Sequence, residues 1–251
     1  MGKVESMKAA GQVVASILKE LKKAIQPGVS GKKLEKIAHD LMVKKGFISS
    51  TLGYRDFPAA ICVSLNNELT HGIPDGRVFQ IGDIVSVDVA CYQKDKKGIN
   101  YHADAALTIV VGKGSEKVKN LLKVAKNSLY YVIQNIRPNI TTTQDIGAML
   151  EKYIRMRGYF PIKEYGGHGI GEFMHQEPFI PNYKISNKGQ IIQEGMFICI
   201  EPLVQIGDAE VEVSPNKWTV FSKNGYLNAH FEHTVYIGKT GAEILTNYEE
   251  E

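Results

Sequence analysis

A chain of 251 residues and 27.8 kDa, 43% hydrophobic, 23% charged and with a net charge of +3, has the balance of a soluble globular protein with one sizeable core. The charge is too small for a nucleic-acid binder, and no apolar run is long enough to span a bilayer. Cys62, Cys91 and Cys199 are too dispersed for a thiolate zinc site or a disulfide framework, so a reducing cytoplasm is the expected setting; a monomer is the expected state.

In chain order, residues 5–25 carry Val13, Val14, Ile17, Leu18 and Leu21 at the spacing of an amphipathic helix. Pro27-Gly28-Val29-Ser30 opens a second helix with Leu34, Ile37, Ala38 and Leu41 inward, closed by Gly46-Phe47. A β-branched run follows from Gly82 to Asp88, then a charged hairpin tip at Lys94–Gly98, then Asp104 ahead of the apolar run Leu107–Val111. The pattern now repeats. A helix is expected over 116–136, and Pro138-Asn139-Ile140-Thr141 opens another with Ile146, Met149, Leu150 and Tyr153, closed by Gly158-Tyr159. Gly195 to Glu201 repeats the layout of Gly82 to Asp88, and Glu232 precedes Val235–Ile237 as Asp104 precedes its own run. Helix-helix-strands, twice, predicts an α+β fold: one domain over 1–251 with pseudo-symmetric halves of about 1–112 and 113–251 around a central antiparallel sheet. The symmetry places the strands of Asp88 and Glu201 side by side at its centre.

Those acids are the chemically informative residues. Side chains alternate along a strand, so Asp88 lies opposite Val85, Val87 and Val89, and Glu201 opposite Ile198 and Ile200. An ionised carboxylate on such a strand is costly to bury without a positive partner. Asp88, Asp104, Glu201 and Glu232 would need four cations from mostly neutral surroundings, and divalent metal ions meet that need more economically. His168 sits in Gly166-Gly167-His168-Gly169, where small neighbours let the backbone approach closely, and suits a nitrogen ligand. His71 and His175, in turns, are free to bond a substrate, whereas His39, His102, His230 and His233 are read as structural.

These residues and their contexts resemble the type I methionine aminopeptidases. The resemblance rests on the ordered set Asp88, Asp104, His168, Glu201 and Glu232, on His71-Gly72-Ile73-Pro74, Gly167-His168-Gly169-Ile170-Gly171 and His175-Gln176-Glu177-Pro178, and on Ile200-Glu201-Pro202 and Phe231-Glu232-His233-Thr234. It runs from about residue 8 to 246 and implies the pita-bread (creatinase/aminopeptidase-like) fold. It also implies two divalent metal ions, Mn, Fe or Co with Zn compatible. Asp104 and Glu232 would bridge them, Asp88 would complete one site, and His168 with Glu201 the other. Glu201 would accept and pass on a proton, His175 would stabilise an oxyanion, and His71 would bond near the scissile nitrogen. Tyr54, Phe57, Cys62, Met174 and Trp218 would line the methionine pocket. The implied reaction removes the initiator methionine before a small penultimate residue of nascent polypeptides, with the ribosome a possible place of encounter. The rival readings are a prolidase or Xaa-Pro aminopeptidase, which shares the five ligands, and a non-catalytic pita-bread binding protein. The chain departs from the family in the 16-residue spacing of its aspartates (104 minus 88), in Ala90 and Ala105 where threonines are common, and in Phe57 and Met174 within the pocket.

Overall fold

The computed structural model describes residues 2–249. Two helices lead: α1 (Lys3–Ala24) and α2 (Gly31–Lys44), the latter capped by Ser30, whose side chain accepts from the Lys33 N–H. Strands β1 (Ile48–Ser49), β2 (Cys62–Leu65) and β3 (Glu68–Thr70) precede the long hairpin of β4 (Ile84–Lys94) and β5 (Asn100–Val110). Helices α3 (Glu116–Asn135) and α4 (Thr143–Arg155) open the second run, α4 behind a capping box in which Thr142 and Asp145 satisfy each other's backbone N–H. There follow β6 (Phe160–Pro161), β7 (Gly166–Gly169), β8 (Gln176–Pro181), β9 (Phe197–Ile200), β10 (Leu203–Gln205), β11 (Val211–Val213), β12 (Val220–Ser222), β13 (Asn228–His230), β14 (His233–Ile237) and β15 (Ala242–Ile244).

The strand periodicity sorts side chains as expected. Val85, Val87, Val89, Ala103, Ala105, Leu107, Ile198, Ile200, Val235 and Ile237 join the inward faces of all four helices in one buried apolar cluster. Burying a side chain of that size stabilises by roughly 1.5–3 kcal/mol each. The opposite face carries the acids. The segment Lys94–Gly98 forms the tip of the β4–β5 hairpin, at the far end of the pairing from the row Asp88↔Ala106. Asp95 organises that tip by accepting from the N–H groups of Lys97 and Ile99.

One expectation changes. The strands form two larger sheets, β5 on a β4 that pairs β1 and β2, and β15-β14-β9-β7-β8, rather than one continuous sheet. The strands that adjoin at the centre are those of Asp104 and Glu232, not those of Asp88 and Glu201. The Glu232 N–H donates to the Ala106 carbonyl at 2.9 Å, and the Ala106 N–H to the Glu232 carbonyl at 3.4 Å. Two residues along in each direction, a threonine hydroxyl takes the place of the facing peptide. Thr234 Oγ1 accepts from Asp104 N–H at 2.9 Å and donates to Asp104 C=O at 2.7 Å. Thr108 Oγ1 accepts from His230 N–H at 2.9 Å and donates to His230 C=O at 2.7 Å. The seam is therefore closed at its middle and propped on each side by a hydroxyl that satisfies one donor and one acceptor. Tyr248 locks it from the C-terminal side, its hydroxyl donating to Ala106 C=O at 3.1 Å.

Thr234→Val removes one prop and leaves the buried Asp104 N–H and C=O without partners. At about 1–3 kcal/mol for each orphaned group, the unfolding free energy in urea is expected to fall by roughly 2–4 kcal/mol with an unchanged m-value. A loss within experimental error would show that the sheets hold together without the hydroxyl.

Candidate active site

The seam brings the acids together through register. Cys62 pairs Asp88, Asp88 pairs Ala106, and Ala106 pairs Glu232 across the seam. The pairing of His233 with Ile200, continued by one residue, sets Glu201 beside Glu232. Antiparallel neighbours point to the same face, so Asp88, Glu232 and Glu201 emerge from one row. Asp104 emerges beside it, opposite Ala90. The two alanines at 90 and 106 leave the space between the acids unfilled. Hydroxyl support for Asp104 comes from Thr234 across the seam, while Ala105 lies in the apolar core on the other face.

His168 enters from β7. Its Nδ1–H donates to the Gly169 carbonyl at 3.0 Å, which leaves the Nε2 lone pair aimed at Glu201 Oε1, 3.6 Å away. The flanking glycines are required: a Cβ at Gly167 would collide with the Cys199 carbonyl, and one at Gly169 with that of Glu177. Carboxylate oxygens of Asp88, Asp104 and Glu232 converge closely enough to share an ion, as do ligand atoms of Asp104, His168 and His175 and, through the cysteine sulfur, those of His168, Cys199 and Glu232. All five sequence-predicted ligands thus line one patch. Cys199 carries no such signal in the sequence; it is a strand residue on β9 whose sulfur lies 3.5 Å from Thr234 Oγ1.

The electrostatics say what the patch lacks. Burial pushes Asp88 up to about 6. Burial, reinforced by the charges of neighbouring carboxylates, holds Asp104, Glu201 and Glu232 well above the usual carboxylate range. Among the described residues, Asp88 Oδ1, Asp104 Oδ1 and Glu232 Oε1 are buried with no hydrogen-bond partner. Unpartnered anionic oxygens at a point where several carboxylates meet fit divalent cations, which oxygen-rich sites with one imidazole bind well. Burial also keeps the nearby histidines neutral, His168 at about 3 and His71 at about 4.

A cavity of about 420 Å³ opens from the acids to solvent and contains Asp88, Asp104, His168 and Glu201 at its floor. His175 and His71 stand on its walls. His175 Nδ1 and the Tyr54 hydroxyl are 2.9 Å apart, and partial burial together with the Arg55 guanidinium holds His175 below its ordinary pKa. His71, in the left-handed region at φ 54°, packs edge-on against Tyr165 at 5.6 Å and Trp218 at 6.3 Å. Phe57 meets Trp218 edge-to-face at 5.0 Å, and with Cys62 they form an apolar pocket beside Asp88. Tyr54, Phe57, Cys62, Met174 and Trp218 all line the cavity. Thr51, Arg55, Glu164, Tyr165 and Phe179 also line it and carry no sequence signal.

His230, read from the sequence as structural, belongs to this site. Its side chain is 2% exposed, and its Nε2 lies 3.8 Å from Glu201 Oε2 and 3.9 Å from Glu232 Oε2. Even spacing from Glu232 along the chain is the available clue, since it puts both side chains on one face wherever the strand stays regular. His102 and His233 are structural as expected: His102 Nδ1 pairs the Ser50 hydroxyl at 2.8 Å, and His233 lies between Tyr130 and Thr246.

The chain matches metallopeptidase family M24 over residues 5–239. It is 41% identical over 248 residues to the methionine aminopeptidase of Mycoplasma capricolum, covering 98% of this chain and 96% of that protein. It is 42% identical over 240 residues to methionine aminopeptidase 1 of Bacillus subtilis, with 96% and 94% covered. Among solved structures, the methionine aminopeptidase of Thermotoga maritima superposes with a TM-score of 0.93 at 37% identity, covering 98% of this chain and 96% of that one. Prolidase from Pyrococcus furiosus superposes at 0.77 with 20% identity over 64% of its own length, a likeness of fold alone. The pita-bread fold expected from the sequence is the one these structures share.

The pKa shifts fix a pH response for the metal-free protein. Histidines held below their ordinary value near 6.5 bind fewer protons folded than unfolded, so their contribution rises with pH and is complete above that value. Carboxylates held above their ordinary range bind more protons folded than unfolded, so their contribution is lost as pH rises through the folded pKa. Above about pH 6.5 the histidine contribution no longer changes, and the groups still held above their ordinary range by burial, Asp104, Glu201 and Glu232 together with the Cys62 and Cys199 thiols, lower stability as pH rises. The thermal midpoint of the metal-free protein is expected to fall from pH 6.5 to 8, and saturating Mn or Co to abolish the fall. A metal-free midpoint that is flat or rises over that interval would contradict the burial of uncompensated carboxylates.

Proposed function

The chain belongs to metallopeptidase family M24, and from that membership and the site's geometry we propose how it works as a methionine aminopeptidase. The observation that carries the proposal is the meeting of buried, partnerless carboxylate oxygens and a ligand-oriented imidazole at the floor of an apolar-walled cavity. Asp88, Asp104, His168, Glu201 and Glu232 would hold two divalent ions, whose positive charge the four carboxylates offset. Such ions, Mn, Fe or Co with Zn compatible, lower the pKa of water and polarise a carbonyl.

The other roles fall to the chain's own groups. Phe57, Cys62, Met174 and Trp218 receive a thioether side chain, with Tyr54 at the mouth; sulfur and aromatic edges suit each other. Asp88, beside that pocket, faces the substrate's free α-amine, which restricts cleavage to the N-terminal residue. Glu201 accepts a proton from the attacking water and delivers it to the leaving amine, a task that favours a carboxylate raised toward neutrality by burial. His175, oriented by Tyr54, donates to the developing oxyanion. His71, neutral and fixed between Tyr165 and Trp218, bonds near the scissile nitrogen. A small residue after the methionine is preferred, because a bulky one would meet the wall of the metal site. We further propose a cytoplasmic monomer that acts as one domain over 1–251, with halves of about 1–112 and 113–251, on nascent chains. Among the described residues no helix is long and apolar enough to cross a membrane.

The peptide Met-Gly-Met-Met tests the reading. Metal-free protein supplied with Mn, Fe, Co or Zn in turn is expected to release free methionine, and Glu201→Gln to lose roughly 10²–10⁴-fold in kcat while still binding metal. Cleavage of Xaa-Pro peptides but not of Met-Gly would transfer the chain to the prolidase-like activity instead.

A further inference from the structure

A buried histidine that serves only packing normally has its ring nitrogens bonded. His233 and His102 obey that rule. His230 does not: among the described residues its Nε2 is buried without a hydrogen-bond partner. The two nearest acceptors are carboxylates, at almost equal distances of 3.8 Å (Glu201 Oε2) and 3.9 Å (Glu232 Oε2). Two features of the fold put it there. His230 pairs Leu203, so it stands two residues before Glu232 on one segment and opposite the residue two beyond Glu201 on the other. Its backbone cannot drift, because Thr108 Oγ1 holds both its N–H and its C=O.

We propose that His230 is a positioning residue of the metal centre: its Nε2–H donates to the Glu201 and Glu232 carboxylates and holds them in place for the ions. This rests on the functional reading above. A donor N–H is the form that two facing anions favour, and a movement of about 1 Å by either carboxylate brings the contact to hydrogen-bond length. A bond from a buried imidazole restricts each carboxylate to one orientation and draws charge off its outer oxygen, the effect by which a partner of a ligand tunes a metal site. It would act on the proton acceptor Glu201 and on the bridging Glu232 together.

The test compares His230→Leu, which fills the space without a donor, with His230→Gln, whose amide N–H reaches a similar distance, and His230→Asn, whose amide falls short. Binding of Co and Mn is measured by calorimetry, and the visible spectrum of the Co-loaded protein is recorded. His230→Leu and His230→Asn are expected to weaken metal binding about 10-fold or more and to shift the Co spectrum. His230→Gln is expected to restore both to within about threefold. Unchanged affinity and spectrum in His230→Leu would reduce His230 to packing and overturn the proposal. A His230→Gln variant as impaired as His230→Leu would overturn it too, because the ring nitrogen would then be coordinating rather than donating. Should His230→Leu fail to fold, the Gln and Asn pair carries the comparison alone. Methionine release by the wild-type protein is read separately. Its absence alongside His230-dependent metal binding counts against the peptidase reading, and its presence alongside His230-independent binding counts against this inference only.

Discussion

Antiparallel pairing at a single point, Ala106 with Glu232, is the contact on which the site depends. A strand pair that continued normally on both sides would draw the two sheets into one surface and bring facing side chains to within about 5 Å. Thr234 and Thr108 prevent that by standing in for the facing peptides at the next position in each direction. Each hydroxyl satisfies a buried N–H and a buried C=O, so the widened stretches leave no orphaned backbone groups of the kind that make a splayed sheet unstable. The result is a rigid seam with room on its acidic face, and Asp104 and Glu232 are fixed by the same bonds that hold the sheets together.

The cost of the arrangement is electrostatic. Four carboxylates gathered on a buried face repel one another and lose hydration, which is why all four are held above their usual range. Backbone register supplies the opposing constraint: a row running Cys62, Asp88, Ala106, Glu232 cannot disperse without breaking strand pairs backed by the main core. Small residues at 90 and 106 and neutral, buried imidazoles at 168 and 230 complete surroundings in which a cation is the missing component. Stability and function are opposed here, as expected where buried charge serves chemistry.

The apolar pocket has a different origin. The apolar pocket is assembled from segments far apart in the chain: Tyr54 and Phe57 on a short turn, Cys62 on β2, Met174 before β8, and Trp218 before β12. The turn carries Arg55 and Asp56 at positive φ, 46° and 68°, conformations uncommon for residues other than glycine. That geometry lets Tyr54 reach His175 and Phe57 reach Trp218 from positions three residues apart. Phe57 and Met174 stand in the pocket as buried apolar walls, and the β4–β5 hairpin tip is not among the residues that line it.

Much of this is legible in the order of the amino acids. The helices are written in apolar periodicity and caps, as with Ser30 and Thr142, because those signals are local. The five candidate ligand residues are legible because an acid or a glycine-flanked histidine inside an apolar run contradicts its surroundings, and that contradiction is itself a chemical statement. Register across the seam is not, since it depends on hydrogen bonds between residues 130 positions apart, such as Asp104 with Thr234. For the same reason the sequence suggests one continuous sheet and pairs the strands of Asp88 and Glu201. His230 shows the limit most sharply: its spacing from Glu232 is visible along the chain, but its approach to Glu201 arises only when β10 pairs β13. Residue type and local period thus determined which chemistry this chain could perform. Long-range strand pairing decided where each group stands, because nothing within a segment encodes the partner it will meet.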